Sequence, residues 1–300
     1  MNAMVADGPR MSTSSEHGRI APDTTVGPVH LTVADLERSL AYYRDAIGLR
    51  VHEHHDSVAS LGAGGDDLLV LYEEPGARPA ERHTGLFHFA LLLPDRQALA
   101  RWLAHAASDR VPLSGASDHL VSEALYLRDP DGHGIEIYRD RPREDWPRDG
   151  EAIRMATLPL DLDAILQVLD EEPDSYDGMP PVARIGHVHL RVRDVDEAES
   201  FYRDVLGFDV MAHLGSEATF LSAGGYHHHI GGNAWESRGA PPPPPGAAAL
   251  RHATIVVPDE DERDRVAARV ADSGQDPQPL DGGVLVRDPS QSAWLLTARG

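Results

Sequence analysis

The chain of 300 residues contains no cysteine and no lysine. Without cysteine there is no disulfide framework, no thiolate nucleophile and no Cys-ligated zinc or iron–sulfur cluster. Every basic residue other than histidine is an arginine. These 27 are outnumbered by 49 acids, giving a formal net charge of −22. A surface so negative repels phosphate backbones, which argues against a nucleic-acid partner. No apolar run approaches the length of a membrane span, so no membrane partner is expected either. The opening MNAMVADGPRMSTSSEHGRIAPDTT lacks the apolar centre of a signal peptide and reads as a disordered lead-in over 1–25. These absences predict a soluble, cytoplasmic protein.

What is present is ordinary globular composition, 41% hydrophobic and 25% charged, in a chain long enough for two domains. It is also repetitive. VGPVHLTVADLERSLAYYRDAIGLRV from Val26 matches IGHVHLRVRDVDEAESFYRDVLGFDV from Ile185. Each begins as an alternating strand (Val29, Leu31, Val33; Val188, Leu190, Val192). An acid at the helix start follows (Asp35, Asp194), then an amphipathic helix, then a glycine suited to a left-handed end (Gly48, Gly207). GLFHFALLLPDRQALARWLAHA and LRHATIVVPDEDERDRVAARV are fainter copies, anchored by Asp95 and Asp259. Each unit continues through short strands and Gly-rich turns. The reading is an α+β fold of four βαβββ modules over 26–82, 83–140, 184–240 and 247–300, two pairs in chain order. A curled sheet of that size cannot bury its concave face alone, so modules should pair around shared cavities as two curled-sheet barrels. Residues 141–183 fit no repeat and read as a linker with a short capped helix in DLDAILQVLDEE; APPPPPG at 240–246 reads as an extended connector.

Seven residues before each helix-start acid stand Pro28, His88, His187 and His252. A histidine at one inward-facing position of several modules points to a shared site. Alignment of the last strands sets Glu136 opposite Leu295. Glu136 is flanked by Ile135 and Ile137, which should face the other way. A buried carboxylate is costly alone and stable beside a cation. The triplet His227, His228 and His229 aligns with Asp67, Leu68 and Leu69 on a last strand. Period-two alternation then turns either His228 alone, or His227 with His229, toward a cavity.

HVHLRVRDVDEAESFYRDVLGF and LYLRDPDGHGIEIY, within four such modules, resemble the vicinal oxygen chelate superfamily. The nearest likeness is to its catechol 2,3-dioxygenase-like, extradiol ring-cleaving branch. That resemblance implies Fe(II), or alternatively Mn(II), held by two histidines and one carboxylate with positions left open for substrate and O₂. Members commonly take all three ligands from the last two repeats. Here those repeats offer His187 and His252 but Leu295, and the first two offer His88 and Glu136 but Pro28. If repeat two pairs with repeat three, His88, Glu136 and His187 complete the set. Under the ordinary pairing, His88 and Glu136 would recruit a residue such as His30, or His187 and His252 one of the triplet. The resemblance also implies roles for His119 beside bound oxygen, His228 as the acid–base histidine within one residue of register, and Tyr126 as hydrogen-bond partner of the substrate's ring oxygen.

The implied reaction is O₂-dependent cleavage of a catechol-type ring outside its two hydroxyls, by a chain whose relatives often form homo-oligomers. Two rivals share the scaffold. A glyoxalase-like isomerase or epimerase would use the metal as a Lewis acid with Glu136 as base, but usually needs a second acid. A non-catalytic protein would sequester a small aromatic ligand and hold no tight metal.

Overall fold

The computed structural model describes residues 4–5, 18–150, 152–169 and 176–299. Repeat one comprises β1 (Thr25–Val33), α1 (Leu36–Tyr42), β2 (Arg50–His55), β3 (Val58–Gly62) and β4 (Asp67–Glu73). Repeat two comprises β5 (Gly85–Leu93), α2 (Arg96–Ser108), β6 (Gly115–Asp118), β7 (Ser122–Arg128) and β8 (Gly134–Asp140). A short α3 (Leu162–Leu166) precedes repeat three, which has β9 (Arg184–Arg191), α4 (Val195–Ser200), β10 (Asp209–Leu214), β11 (Ala218–Ser222) and β12 (Ile230–Asn233). Repeat four has β13 (Leu250–Val257), α5 (Glu260–Asp272), β14 (Gln278–Leu280), β15 (Gly283–Arg287) and β16 (Ala293–Ala298).

The helix starts follow from capping. The carboxylates of Asp35, Asp95, Asp194 and Asp259 accept from the backbone N–H three residues on, at 2.8–3.0 Å. Each thereby satisfies a donor that the helix itself cannot. Helices α1 and α4 end in a wider π-type turn and stop at Gly48 and Gly207, with φ of 89° and 92°. Tyr43 and Tyr202, in those turns, are fully buried and donate to Asp129 and Asp288 at 2.8 Å. The two bonds are one device repeated 159 residues apart, and each ties a helix of one repeat to a loop of the next.

Sheet pairing does not follow chain order. One eight-stranded sheet runs β10-β11-β12-β9-β5-β8-β7-β6 and the other β14-β15-β16-β13-β1-β4-β3-β2. Repeat two therefore shares a sheet with repeat three, across the antiparallel β9–β5 seam, and repeat four with repeat one, across β13–β1. Phe89, Leu91, Ile135, Ile137, Val188 and Leu190 are 0% exposed, and with the helices they form one apolar core that joins both sheets. Alternation leaves the concave face of the two–three sheet to the intervening residues, among them His88, Glu136 and His187.

Two expectations change. Packing begins before Val26: Ile20 and Thr24 are buried, and Ile20 N–H donates to Gly207 O. Met4–Val5 pairs with Ala156–Thr157, while the rest of the expected disordered lead-in, 1–3 and 6–17, lies outside the described residues. Residues 141–183 also do more than connect. Trp146, Ile153 and Met155 bury themselves against Val121 and Ala212, laying the linker along the two–three sheet. Its helix α3 is capped by Asp161. No helix among the described residues is long and apolar enough to cross a membrane.

Candidate active site

The site is assembled at the seam. His88 stands on β5, Glu136 on the parallel neighbour β8 and His187 on the antiparallel neighbour β9. A register shift at Gly186 re-aims His187. Only glycine fits there, since a Cβ would lie 1.8 Å from the Tyr138 hydroxyl oxygen. Glu136 Oε2 is 3.0 Å from His88 Nε2 and 3.2 Å from His187 Nε2, and the two nitrogens are 3.3 Å apart. First-row divalent ions bind such atoms at about 2.1 Å, which separates neighbouring donors by about 3.0 Å in octahedral and 3.4 Å in tetrahedral geometry. The triangle fits one face of either. Two imidazoles and a carboxylate are also the donor set of facial-triad iron sites. Among the described residues this is the one group of His, Asp or Glu side chains close enough to hold an ion.

The electrostatics suit a cation. Burial alone would push the Glu136 carboxyl up, but His187 and His88 outweigh it and hold it well below the ordinary carboxylate value. Burial lowers the His187 imidazole to about 4, against the pull of Glu136, so the ring is neutral near pH 7 and has a lone pair to give. His187 Nδ1 is buried without a hydrogen bond.

His88 and Glu136 line a cavity of about 390 Å³, a size suited to one substituted aromatic ring, and the ring of His187 lies 4.1 Å from that of His228, which lines it too. Phe87, Phe220 and Trp235 supply aromatic walls, and Met155 to Thr157 of the linker close one side. Glu136 is the one acid among the described residues lining it. His119, Tyr126 and His228 line the same cavity. Tyr126 is pinned: its hydroxyl is 2.6 Å from His119 Nε2 and is also hydrogen-bonded to Glu136. Burial first, then the Glu136 charge, raise its pKa well above the ordinary tyrosine value, so it stays a neutral donor. His119 Nδ1 is anchored by Ala156 O at 2.8 Å.

The histidine triplet differs from the strand expected of it. Val29 pairs with Leu69 while Val188 pairs with Ile230, so Leu69 corresponds to Ile230 and not to His229. The turn through Gly224 and Gly225, both with positive φ, contains one more residue than its counterpart, and the triplet sits in it before β12 begins. Alternation therefore does not govern the three rings. His228 faces the cavity with its ring 4.1 Å from that of His187. His227 is wholly buried beside Asp140, and His229 is held by Ser222 and the Ala223 N–H.

His189 was not singled out from the sequence. It lies two residues after His187 on β9, hence on the same face, and its ring is 5.0 Å from that of His88. Its Nε2 is buried without a partner, and burial followed by the neighbouring His88 and His187 charges lowers its pKa well below the ordinary value. Period two in HVHL was the available signal. Nothing in the sequence pointed to Phe87, Phe220 or Trp235. The one–four sheet differs at the corresponding seam. There His252 stacks on His30 at 3.9 Å, away from the triangle, and Leu295 stands where a third ligand would.

Comparison with known proteins agrees with this architecture. The family model described as "Glyoxalase/Bleomycin resistance protein/Dioxygenase superfamily" matches residues 25–137 and 184–296. The chain belongs to that superfamily. It is 45% identical over 281 residues to a Bacillus subtilis (strain 168) protein named catechol-2,3-dioxygenase, covering 92% of this chain and 98% of the relative. Within the superfamily it is thus a catechol-2,3-dioxygenase-like enzyme. Glyoxalase I from Zea mays superposes with a TM-score of 0.53 at 17% identity, covering 92% of each chain. The CppA protein of Streptococcus pneumoniae TIGR4 gives 0.54 at 11%, covering 94% of this chain and 99% of the other. At those identities the two structures speak for the fold alone.

Proposed function

We propose that the protein is an extradiol dioxygenase that binds a catechol-type ring in the 390 Å³ cavity and cleaves it with O₂. His88, Glu136 and His187 would hold one Fe(II). The observation that carries this reading is the convergence of their three donor atoms, 3.0–3.3 Å apart, at an aromatic-walled cavity that His88 and Glu136 line. When bound, the ion supplies Lewis-acid activation of the diol and a path for electrons to O₂.

The chain's own groups supply the rest. Phe87, Phe220 and Trp235 hold the ring by apolar contact and exclude water. His228 accepts a proton from the diol and returns it to oxygen later in the cycle. Burial, then the neighbouring His187 and His227 charges, lower its pKa well below the ordinary value, so it enters the cycle as a neutral base. His119, steadied by Ala156 O, and Tyr126 present polar groups on the opposite side. Fe(II) is the proposed ion because O₂ chemistry requires a redox-active centre; Mn(II) accepts the same donors. The proposed location is the cytoplasm.

An isomerase on this scaffold would need a second acid, and Glu136 is the one acid that lines the cavity among the described residues. The test is anaerobic loading with Fe(II), addition of catechol, then admission of air. Loss of catechol absorption with a yellow product only after O₂ enters supports the proposal. Turnover before O₂, or binding without turnover after it, refutes it.

A further inference from the structure

Beyond the cavity lies a hydrogen-bond chain that reaches it from behind. Asp140 closes strand β8, four residues after Glu136. Its Oδ1 is 2.8 Å from His227 Nε2, and His227 Nδ1 is 2.8 Å from His228 Nδ1. His227 is 0% exposed, with its ring packed between Tyr226 and Trp146, so both of its nitrogens are engaged inside the protein. Tyr226 also bonds to Asp140, and Tyr138 to Tyr226 at 2.8 Å.

The direction of this chain follows from donor and acceptor counting. An ionised carboxylate only accepts, so His227 must donate from Nε2. A neutral His227 then has only a lone pair at Nδ1, and the short contact to His228 closes only if His228 donates from its own Nδ1. His228 is left with an unprotonated Nε2, and among the described residues no side chain or backbone group takes that atom; the ring lines the cavity. Were Asp140 a donor instead, every bond would reverse and His228 would turn an N–H toward the cavity. We propose that Asp140 and His227 are positioning residues that fix the tautomer of His228, so that its bare Nε2 faces the substrate as a base. The inference rests on the reading of His228 given above. It explains two members of the triplet at once, because a base needs a tautomer and a tautomer needs a fixed reference charge.

The test uses the full chain labelled with nitrogen-15 at histidine and free of paramagnetic metal. Long-range proton–nitrogen correlations, assigned with His227→Phe and His228→Phe, show which nitrogen of each ring carries the proton. His228 should be protonated at Nδ1 and bare at Nε2, and Asp140→Ala should move it toward the Nε2-protonated form. An Nε2-protonated His228 in the unaltered protein, or one indifferent to Asp140→Ala, overturns the proposal. The Fe(II)-loaded enzyme gives the second measurement. Asp140→Ala and His227→Phe should each lower kcat about 10- to 1000-fold, with KM within about twofold and iron content unchanged. In a His228→Phe background neither should lower it further. Additive losses would show that the pair acts elsewhere and overturn the proposal. Full turnover by His228→Phe, with the expected tautomers in place, would instead sink the assignment of His228 as the base while leaving the tautomer chain standing.

Discussion

His88 and His187 are separated by 99 residues, yet their Nε2 atoms meet at 3.3 Å across the seam between repeats two and three. Each is the fourth residue of its module's first strand, and the antiparallel β5–β9 pairing brings the two together on one face. Two imidazole nitrogens aimed at each other and at one carboxylate oxygen satisfy none of the three fully. A cation among them does.

The metal ligands should therefore be separable from the fold. Glu136→Gln keeps the shape of the side chain and removes its charge. Binding of Fe(II), followed by competition with a chelator, should weaken at least ~100-fold, as should His88→Ala and His187→Ala, with unchanged far-ultraviolet circular dichroism. Retention of tight stoichiometric binding by any of the three would remove that residue from the centre.

His228 should be dispensable for metal and needed for turnover. His228→Phe preserves the ring contact with His187 and deletes both nitrogens. Iron content should stay full while kcat drops about 10²- to 10⁴-fold, the range of a lost general base. Metal analysis alongside steady-state kinetics checks both halves.

Gly134 supports the site from below. A Cβ there would lie 2.0 Å from the Phe87 carbonyl oxygen and 3.1 Å from the His88 Cβ. Backbone cannot move aside as a side-chain tip can, so Gly134→Ala should destabilise the protein by about 1–3 kcal/mol and displace His88. Denaturant unfolding and an Fe(II) titration would record both effects.

Much of this was legible in the chain and some was not. The four βαβββ modules showed in the capping acids and the closing glycines because those devices are local. Pro28 and Leu295 favoured the pairing of repeat two with three, since neither chain-order pair held the ligand set that the family resemblance implies, but they left the ordinary pairing open; the β9–β5 seam decides it. What alternation could not reach was the triplet: one extra residue between Leu221 and Ile230 moves it off the strand, where period two has no authority. The aromatic walls and the linker's closing side were illegible for a related reason. Phe87 of repeat two, Met155 of the linker, and Phe220 and Trp235 of repeat three line one cavity although they are far apart in the chain.

Acid stability should report on the other sheet. Burial first, then neighbouring positive charge, lower His30 to about 3 and His252 to about 4, from an ordinary 6.5. Between pH 6.5 and about 4 the unfolded chain binds protons at these positions that the folded chain refuses, so their contribution to stability falls as pH falls. Asp288 opposes them. Burial raises it from 3.8 to about 6, and its contribution is full below 3.8 and lost as pH rises through 6. Metal-free His252→Phe should accordingly lose less stability between pH 6.5 and 4 than the unaltered protein, and Asp288→Asn should lose more. Melting temperatures across that window give the comparison.

The most direct test of the metal centre is diffraction at the iron absorption edge from crystals loaded anaerobically with Fe(II). One anomalous peak per chain is expected, about 2.0–2.2 Å from His88 Nε2, His187 Nε2 and a Glu136 carboxylate oxygen. A peak at the His30–His252 seam instead, or iron bound with those three side chains turned away from it, would contradict the account.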